Sequence, residues 1–306
     1  MTLTLKTVND LKNKLTFTMY REFISRWIWM SSYLRSTEDF HDITLDVLKT
    51  LSSRGVLYVE FNYNYMDSQS LTTYLMTNEI IKACNIAETL YGIKSNLLIN
   101  FPRNKKTESE FIEVLDTLKP FINIPSSHIC GMNLSSKEDP GSSLLYMNLF
   151  NHAKSLGLRT TVHTGEDGGI QEIWDAISNL NPDRIGHGVK AYNDKLLMQM
   201  IKIKQLPLES CVTSNIKTNT ILKPITNHPI RTFFDYGLNV FFNSDDPLYF
   251  GNYIDDEMTV LMDKFNFNNN EIEKMFNNAL ESSFLSESGK KEIRMRCKEI
   301  CKEEIN

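Results

Sequence analysis

The chain has 306 residues, 41% of them hydrophobic, which is enough for a large core and suits one α/β-barrel unit spanning 1–306. Its 33 basic and 38 acidic residues give a formal charge of -5 with no basic patch, which argues against nucleic acid as a partner. Five cysteines form no Cys-x-x-Cys pair, and neither a signal peptide nor a membrane-length apolar run is legible, so the reading is a cytoplasmic protein with reduced thiols.

In chain order, the spacing of Leu11, Leu15, Phe17, Tyr20, Phe23, Ile24, Trp27 and Ile28 predicts amphipathic helices up to Leu34. A further helix starts at the capping residue Thr37 and ends near Ser53. Gly55 to Phe61 reads as a buried strand, Ser68 to Tyr91 as a helix closed by Gly92, and Asn96 to Phe101 as a strand stopped by Pro102. Helix Glu108 to Leu118, strand Ile129 to Leu134 and helix Ser142 to Leu156 follow. Next come strand Leu158 to His163, helix Ile170 to Leu180, strand Asp183 to His187 and helix Asp194 to Lys204. Strand Leu206 to Val212, a loop, helix His228 to Tyr236 and strand Asn239 to Asn243 complete the alternation. The remainder is helical: Asp255 to Phe265, Asn269 to Phe284 and Glu287 to Glu304. Alternating strands and helices predict parallel βα units, and the count is seven strands, one fewer than a closed (β/α)8 barrel of the TIM type. The fold class is therefore α/β, an incomplete barrel of that type with extra C-terminal helices.

Chemistry concentrates where strands end. Thr161-Val-His-Thr-Gly-Glu-Asp-Gly-Gly169 projects His163 and Glu166 from an apolar strand into a glycine-rich turn. Arg184-Ile-Gly-His-Gly188 sets His187 between two glycines, and Val240 to Pro247 ends on the adjacent carboxylates Asp245 and Asp246. A lone histidine at a strand end is ordinarily a hydrogen-bonded core or loop residue, and an Asp-Asp-Pro run is ordinarily a turn or a helix N-cap. Glycines that admit a close ligand favour a site instead, and so does an acidic pair that repels itself unless a cation lies near. Glu209 and Asn215 read as structural. His41, His128 and His152 read as surface or core residues, and His228 as a helix-start residue. Cys297 and Cys301, four apart on a helix, lack partner ligands for a zinc site.

Taken together, His163-Thr-Gly-Glu166, Arg184-Ile-Gly-His-Gly188, Leu208-Glu-Ser-Cys-Val-Thr-Ser-Asn215 and Asn243-Ser-Asp-Asp-Pro247 resemble the ordered motifs of the adenosine deaminases. Gly55 to Glu60, Gly131 to Leu134 and Asn227 to Arg231 agree, so the likeness covers roughly Asn9 to Ser286. The resemblance implies a zinc-dependent hydrolase of purine metabolism that converts adenosine, or a close 6-aminopurine nucleoside, to inosine and ammonia. By that resemblance His163 and Asp245 are zinc ligands, and Glu166 is the acid that protonates the purine ring. His187 orients and deprotonates the attacking water, Asp246 holds N7, and the Gly131 backbone lies near N3. Thr164 and Val212 stand where the family usually has Ala and Pro.

The family's opening strand carries His-x-His, which completes its zinc site. The histidines of this sequence are 41, 128, 152, 163, 187 and 228, and no two are separated by one residue. The zinc site is therefore incomplete in this chain. Three explanations follow: a truncated product, a chain whose companion or second copy supplies the strand, or an inactive relative that keeps a purine pocket. Thr2 to Leu5, alternating and β-prone, are candidates to fill part of the gap. Adenine and 6-modified adenosine monophosphates are alternative substrates among such deaminases.

Overall fold

The structure is a computed structural model and describes residues 7–64, 72–103 and 105–303. Residues 2–5, the candidate gap-filling strand, lie outside the described residues, as do 68–71 at the expected start of one helix. Two helices, α1 (Val8–Leu15) and α2 (Tyr20–Ser31), lead into α3 (Thr37–Ser53). The βα alternation then runs β1 (Tyr58–Asn64), α4 (Thr73–Tyr91), β2 (Lys94–Pro102), α5 (Glu108–Thr117), β3 (Ile129–Ser135) and α6 (Met147–Ser155). It continues with β4 (Arg159–Thr164), α7 (Ile170–Asp175), β5 (Arg184–His187), α8 (Lys195–Lys204), β6 (Leu208–Ser210) and α9 (Val212–Lys217). The last members are α10 (Ile230–Tyr236), β7 (Val240–Phe242), α11 (Pro247–Phe250), α12 (Ile254–Phe265), α13 (Asn269–Ser282) and α14 (Glu287–Glu303).

The strands pair in sequence order, β1 to β7, all parallel, in a curled seven-stranded sheet of barrel type. Helix starts follow from local chemistry. Ser36 with Asp39, Thr107 with Glu110 and Asn268 with Glu271 form reciprocal capping boxes that satisfy orphan backbone N–H groups. Gly92 (φ 66°) takes the left-handed turn that ends α4.

Apolar strand residues such as Ile99, Leu134 and Val162 face the helices on one half, packing with Leu48, Phe111 and Phe150. Ile185, Leu208 and Val240 do the same on the other half, with Leu197, Phe233 and Leu261. The inner face is polar and carries the residues considered next.

Two local expectations differ from the structure. The helix expected over Ser142 to Leu156 breaks, with a 3-10 turn over Ser142–Tyr146 preceding α6. The strand expected to reach Val212 stops at Ser210, and α9 takes the place of the strand end and of the start of the expected loop. Asp246 stands at the N-cap of the short helix that Pro247 begins, which is the helix-cap reading of that stretch.

Candidate active site at the C-terminal mouth of the sheet

Every βα loop that follows β3 to β7 contributes to one mouth. His163 is the penultimate residue of β4, and the turn Gly165–Asp167 follows it. His187 ends β5 with φ 62°, and Asp245 follows β7 with φ 59°. Two non-glycine residues held in the left-handed region at strand ends store strain that the surrounding packing must hold in place.

The turn carrying Glu166 is fixed from a distance. Glu138, 6% exposed in the loop after β3, accepts the backbone N–H groups of Gly165 (2.6 Å), Glu166 (2.8 Å) and Asp167 (3.2 Å). In return the Glu138 N–H donates to Asp167 Oδ1 at 3.1 Å. A Cβ on Gly168 would lie 2.5 Å from Glu138 Oε2, so the glycine there is a requirement of this contact. Arg103, 2% exposed, donates to the His163 carbonyl at 2.7 Å and to the Ser136 carbonyl at 3.3 Å, tying β4 to the same loop.

Glu166 Oε2 lies 3.5 Å from His187 Nε2, and both side chains are buried. Burial raises Glu166 to about 8 against the lowering pull of His187, with Asp245, Glu138 and Asp167 adding to the rise. Burial opposes a charge on His187, but the carboxylates of Glu166 and Asp245 outweigh it and lift its pKa. Asp246 is pushed up to about 8 by burial and by Asp245 beside it. At neutral pH the site thus holds two carboxylic acids ready to donate, the usual result of crowding acids out of water.

His163 and His187 meet edge to face with ring centroids 5.0 Å apart. His187, Cys211 and Asp245 place ligand atoms within 4.8 Å of one another. Cys211 is buried among carboxylates, which keeps it a neutral thiol and a poor ligand. Asp245 Oδ2 accepts the Ser214 hydroxyl at 2.6 Å. His163 Nδ1 is 3.0 Å from Asn133 Oδ1, and Asn133 Nδ2 donates to Asn100 Oδ1 at 2.6 Å. The imidazole therefore carries its proton on Nδ1, donates it in a hydrogen bond to Asn133 Oδ1 and keeps Nε2 bare, the arrangement typical of a metal-ligating histidine. Among the described residues the ligand atoms that converge belong to His187, Cys211 and Asp245, while His163, with Nε2 bare, adjoins this group through the His187 ring. The imidazoles and the Asp245 carboxylate are donors of the kind that the divalent ion implied by the resemblance takes.

The remaining histidines are engaged elsewhere. His41 contacts Asp42, His128 binds the Ser95 carbonyl, His152 binds Asp116, and His228 binds Asn215. Gly131 does not join the site. It lies near the start of β3, four residues before Ser135, and strand rise puts it about 13 Å below the mouth. A Cβ there would meet the Arg159 carbonyl at 2.6 Å, so its glycine serves close strand packing. The residues of that segment at the mouth are Ser136, with φ 71°, and Glu138.

Helices α1 and α2 precede the first strand, and α2 reaches across to the mouth. The Tyr20 N–H donates to the Thr218 carbonyl at 2.8 Å, and Phe23 packs on Phe250 at 5.0 Å and Tyr249 at 5.5 Å. Burial, then the charges of Glu166, Asp167 and Glu138, push the half-buried Tyr20 phenol far above its ordinary range.

A family model described as adenosine deaminase matches residues 2–300. An adenine deaminase of Marinomonas sp. is 32% identical over 292 residues, 95% of this chain and 85% of that protein. An adenine deaminase of Psychrobacter cryohalolentis is 30% identical over 296 residues, 95% of this chain and 86% of that protein. Among solved structures, the adenine deaminase of Arthrobacter aurescens superposes with a TM-score of 0.90 at 29% identity, covering 99% of this chain and 91% of that one.

Proposed function

Because the chain belongs to the adenosine deaminase family, we propose that it is a hydrolytic 6-aminopurine deaminase whose substrate is free adenine. Adenine and water would give hypoxanthine and ammonia. The observation that carries this reading is the meeting of Glu166, raised to about 8, with His187, Asp245 and Asp246 at one mouth. Adenine in place of the expected adenosine is supported by the relatives at 32% and 30% identity, both named adenine deaminase.

Each side chain has work suited to its state. Glu166, protonated at neutral pH, donates to the ring nitrogen next to the amino-bearing carbon as attack proceeds. Asp246, also protonated, donates a hydrogen bond to N7 of the imidazole ring. His187 orients the attacking water from the side of Glu166. His163 and Asp245 would hold a zinc ion, which when bound supplies a water acidified to a pKa of about 7. The reacting carbon leaves with oxygen in place of nitrogen, and the amino group leaves as ammonia after taking up a proton.

The test is ammonia release by the purified chain, supplemented with zinc, from adenine and from adenosine in parallel. Turnover of adenine that disappears in Asp245→Ala supports the reading, and preference for adenosine would correct the substrate. A second reading, an inactive purine-binding relative, is favoured by the lack of any His-x-His pair in this sequence. It requires that adenine stabilise the protein against heat while no ammonia appears.

A further inference from the structure

The hydrogen bonds behind His187 have only one consistent direction. The Ile230 backbone N–H is a donor and nothing else, and it lies 3.2 Å from His228 Nδ1. His228 Nδ1 is therefore bare, and the neutral ring carries its proton on Nε2. Burial, then the nearby His187, hold His228 down to about 3, so the neutral form persists. Its Nε2–H donates to Asn215 Oδ1 at 3.1 Å. With its oxygen engaged, the amide presents Nδ2 to His187 Nδ1 at 3.2 Å. Asn215, His187 and His228 are 0%, 2% and 3% exposed, so water is not available to repair a reversed member. Turning any one of them leaves two donors or two bare acceptors face to face, with buried polar groups unsatisfied.

We infer that Ile230, His228 and Asn215 form a buried relay that fixes His187 with its proton on Nε2, so that His187 meets the reacting groups as a hydrogen-bond donor. His228 and Asn215 are positioning residues, since they act on His187 Nδ1 and not on Nε2, the nitrogen that meets Glu166. The contrast with His163 is direct: its Nδ1–H donates to Asn133 Oδ1, which leaves Nε2 bare. Two rings 5.0 Å apart are thus set in opposite tautomers, one offering a lone pair and the other an N–H. A second proton on His187 would enter at Nδ1 and meet the Asn215 amide donor, so proton removal by this ring, the role the family resemblance implies, is opposed by its own support. The tautomer stands apart from the deaminase reading, and only its effect on turnover rests on that reading.

The experiment is nitrogen NMR of the [15N]histidine-labelled full chain, titrated to a pH where His187 is neutral, with its signals assigned by a His187→Gln variant. The expected spectrum has a protonated Nε2 and a bare Nδ1 for His187, and the reverse would overturn the inference. Asn215→Asp replaces the amide donor with an acceptor, so the His187 proton should move to Nδ1. An unchanged His187 in a folded Asn215→Asp protein would overturn the relay. If that variant does not fold, His228→Ala frees the amide to turn and should give mixed His187 signals, and a single unchanged tautomer again overturns it. With adenine as substrate, Asn215→Asp should lower kcat by about a hundredfold or more, as wrong-tautomer histidines do, with KM changed by less than about twofold. Full kcat in a variant whose spectrum has reversed would overturn the donor role and leave the deaminase reading intact.

Discussion

At the scale of single residues, the state of Glu166 governs what the site can do. Its folded pKa of about 8 lies above the ordinary 4.5. The native chain then binds more protons than the unfolded chain between those values, so this carboxyl makes stability fall as pH rises through that window and leaves it level below. Asp246, also near 8, and His187, also raised, act in the same sense. Glu166→Gln removes the Glu166 share of that slope. Chemical denaturation at pH 9 should find the variant more stable than the parent, with little difference at pH 4. The same substitution deletes a proton donor, so deamination should fall by about 10²–10⁴-fold, while the parent's kcat declines as pH passes about 8. A variant equal to the parent in stability at both pH values would show that the acid is not held in its protonated form. The gathering of His163, Glu166, His187, Asp245 and Asp246 at strand ends could be anticipated from sequence, because each follows an apolar strand run with a glycine or proline within two residues. Glu138, Arg103 and the pairing of His228 with Asn215 were not. Their partners lie far along the chain, as when Glu138 binds the 165–167 turn, and only folding brings them together.

At the scale of elements, the turn after β4 is held by the loop after β3 more than by its own residues. Gly165 has φ 69°, and a Cβ on it would lie 2.3 Å from Ile173 Cδ1, so the turn fits only one backbone path. Glu138 closes that path by taking successive N–H groups onto one carboxylate. Hydrogen bonds to a charged group contribute about 1.5–3 kcal/mol each, so Glu138→Ala should cost on the order of 3 kcal/mol and misplace Glu166. Urea denaturation and kcat should fall together in this variant, and Glu138→Gln, which keeps one acceptor oxygen, should recover part of both. Full stability in Glu138→Ala would show that the turn holds itself. The seven strands were readable because buried parallel strands are short apolar runs between helical patterns. The short elements were not. Val212 and Thr213 are β-branched, yet they enter α9, since the Thr213 N–H and hydroxyl are claimed by Glu257 on α12. Tertiary contact there overrides local preference.

At the scale of the whole molecule, two apolar clusters are built on opposite halves of the sheet, and a buried ion pair joins them across the inner face. Arg184 starts β5, in the half that packs with α8 and α10, and is 4% exposed. Its guanidinium reaches Glu60 on β1 at 2.5 Å, in the half that packs with α3 and α4, while its Nε lies 2.6 Å from Glu209 on β6. The chain after α13 closes the same end: the Ser282 carbonyl accepts from Arg184 at 3.0 Å, the Phe284 N–H donates to Glu60 at 2.6 Å, and the Phe284 ring lies 3.6 Å from the guanidinium. This end is opposite the mouth, so its role is to hold the curl that brings the strand ends together. Arg184→Met keeps much of the volume but leaves two carboxylates buried without a cation, which costs about 3–5 kcal/mol. Adding Glu60→Gln and Glu209→Gln removes the stranded charges, and the triple variant should regain most of that loss. The two effects are separable by urea denaturation monitored by tryptophan fluorescence. If the triple variant is no more stable than Arg184→Met alone, the loss comes from packing against Phe284 and not from buried charge. The curl would then depend on the aromatic plug at its closed end.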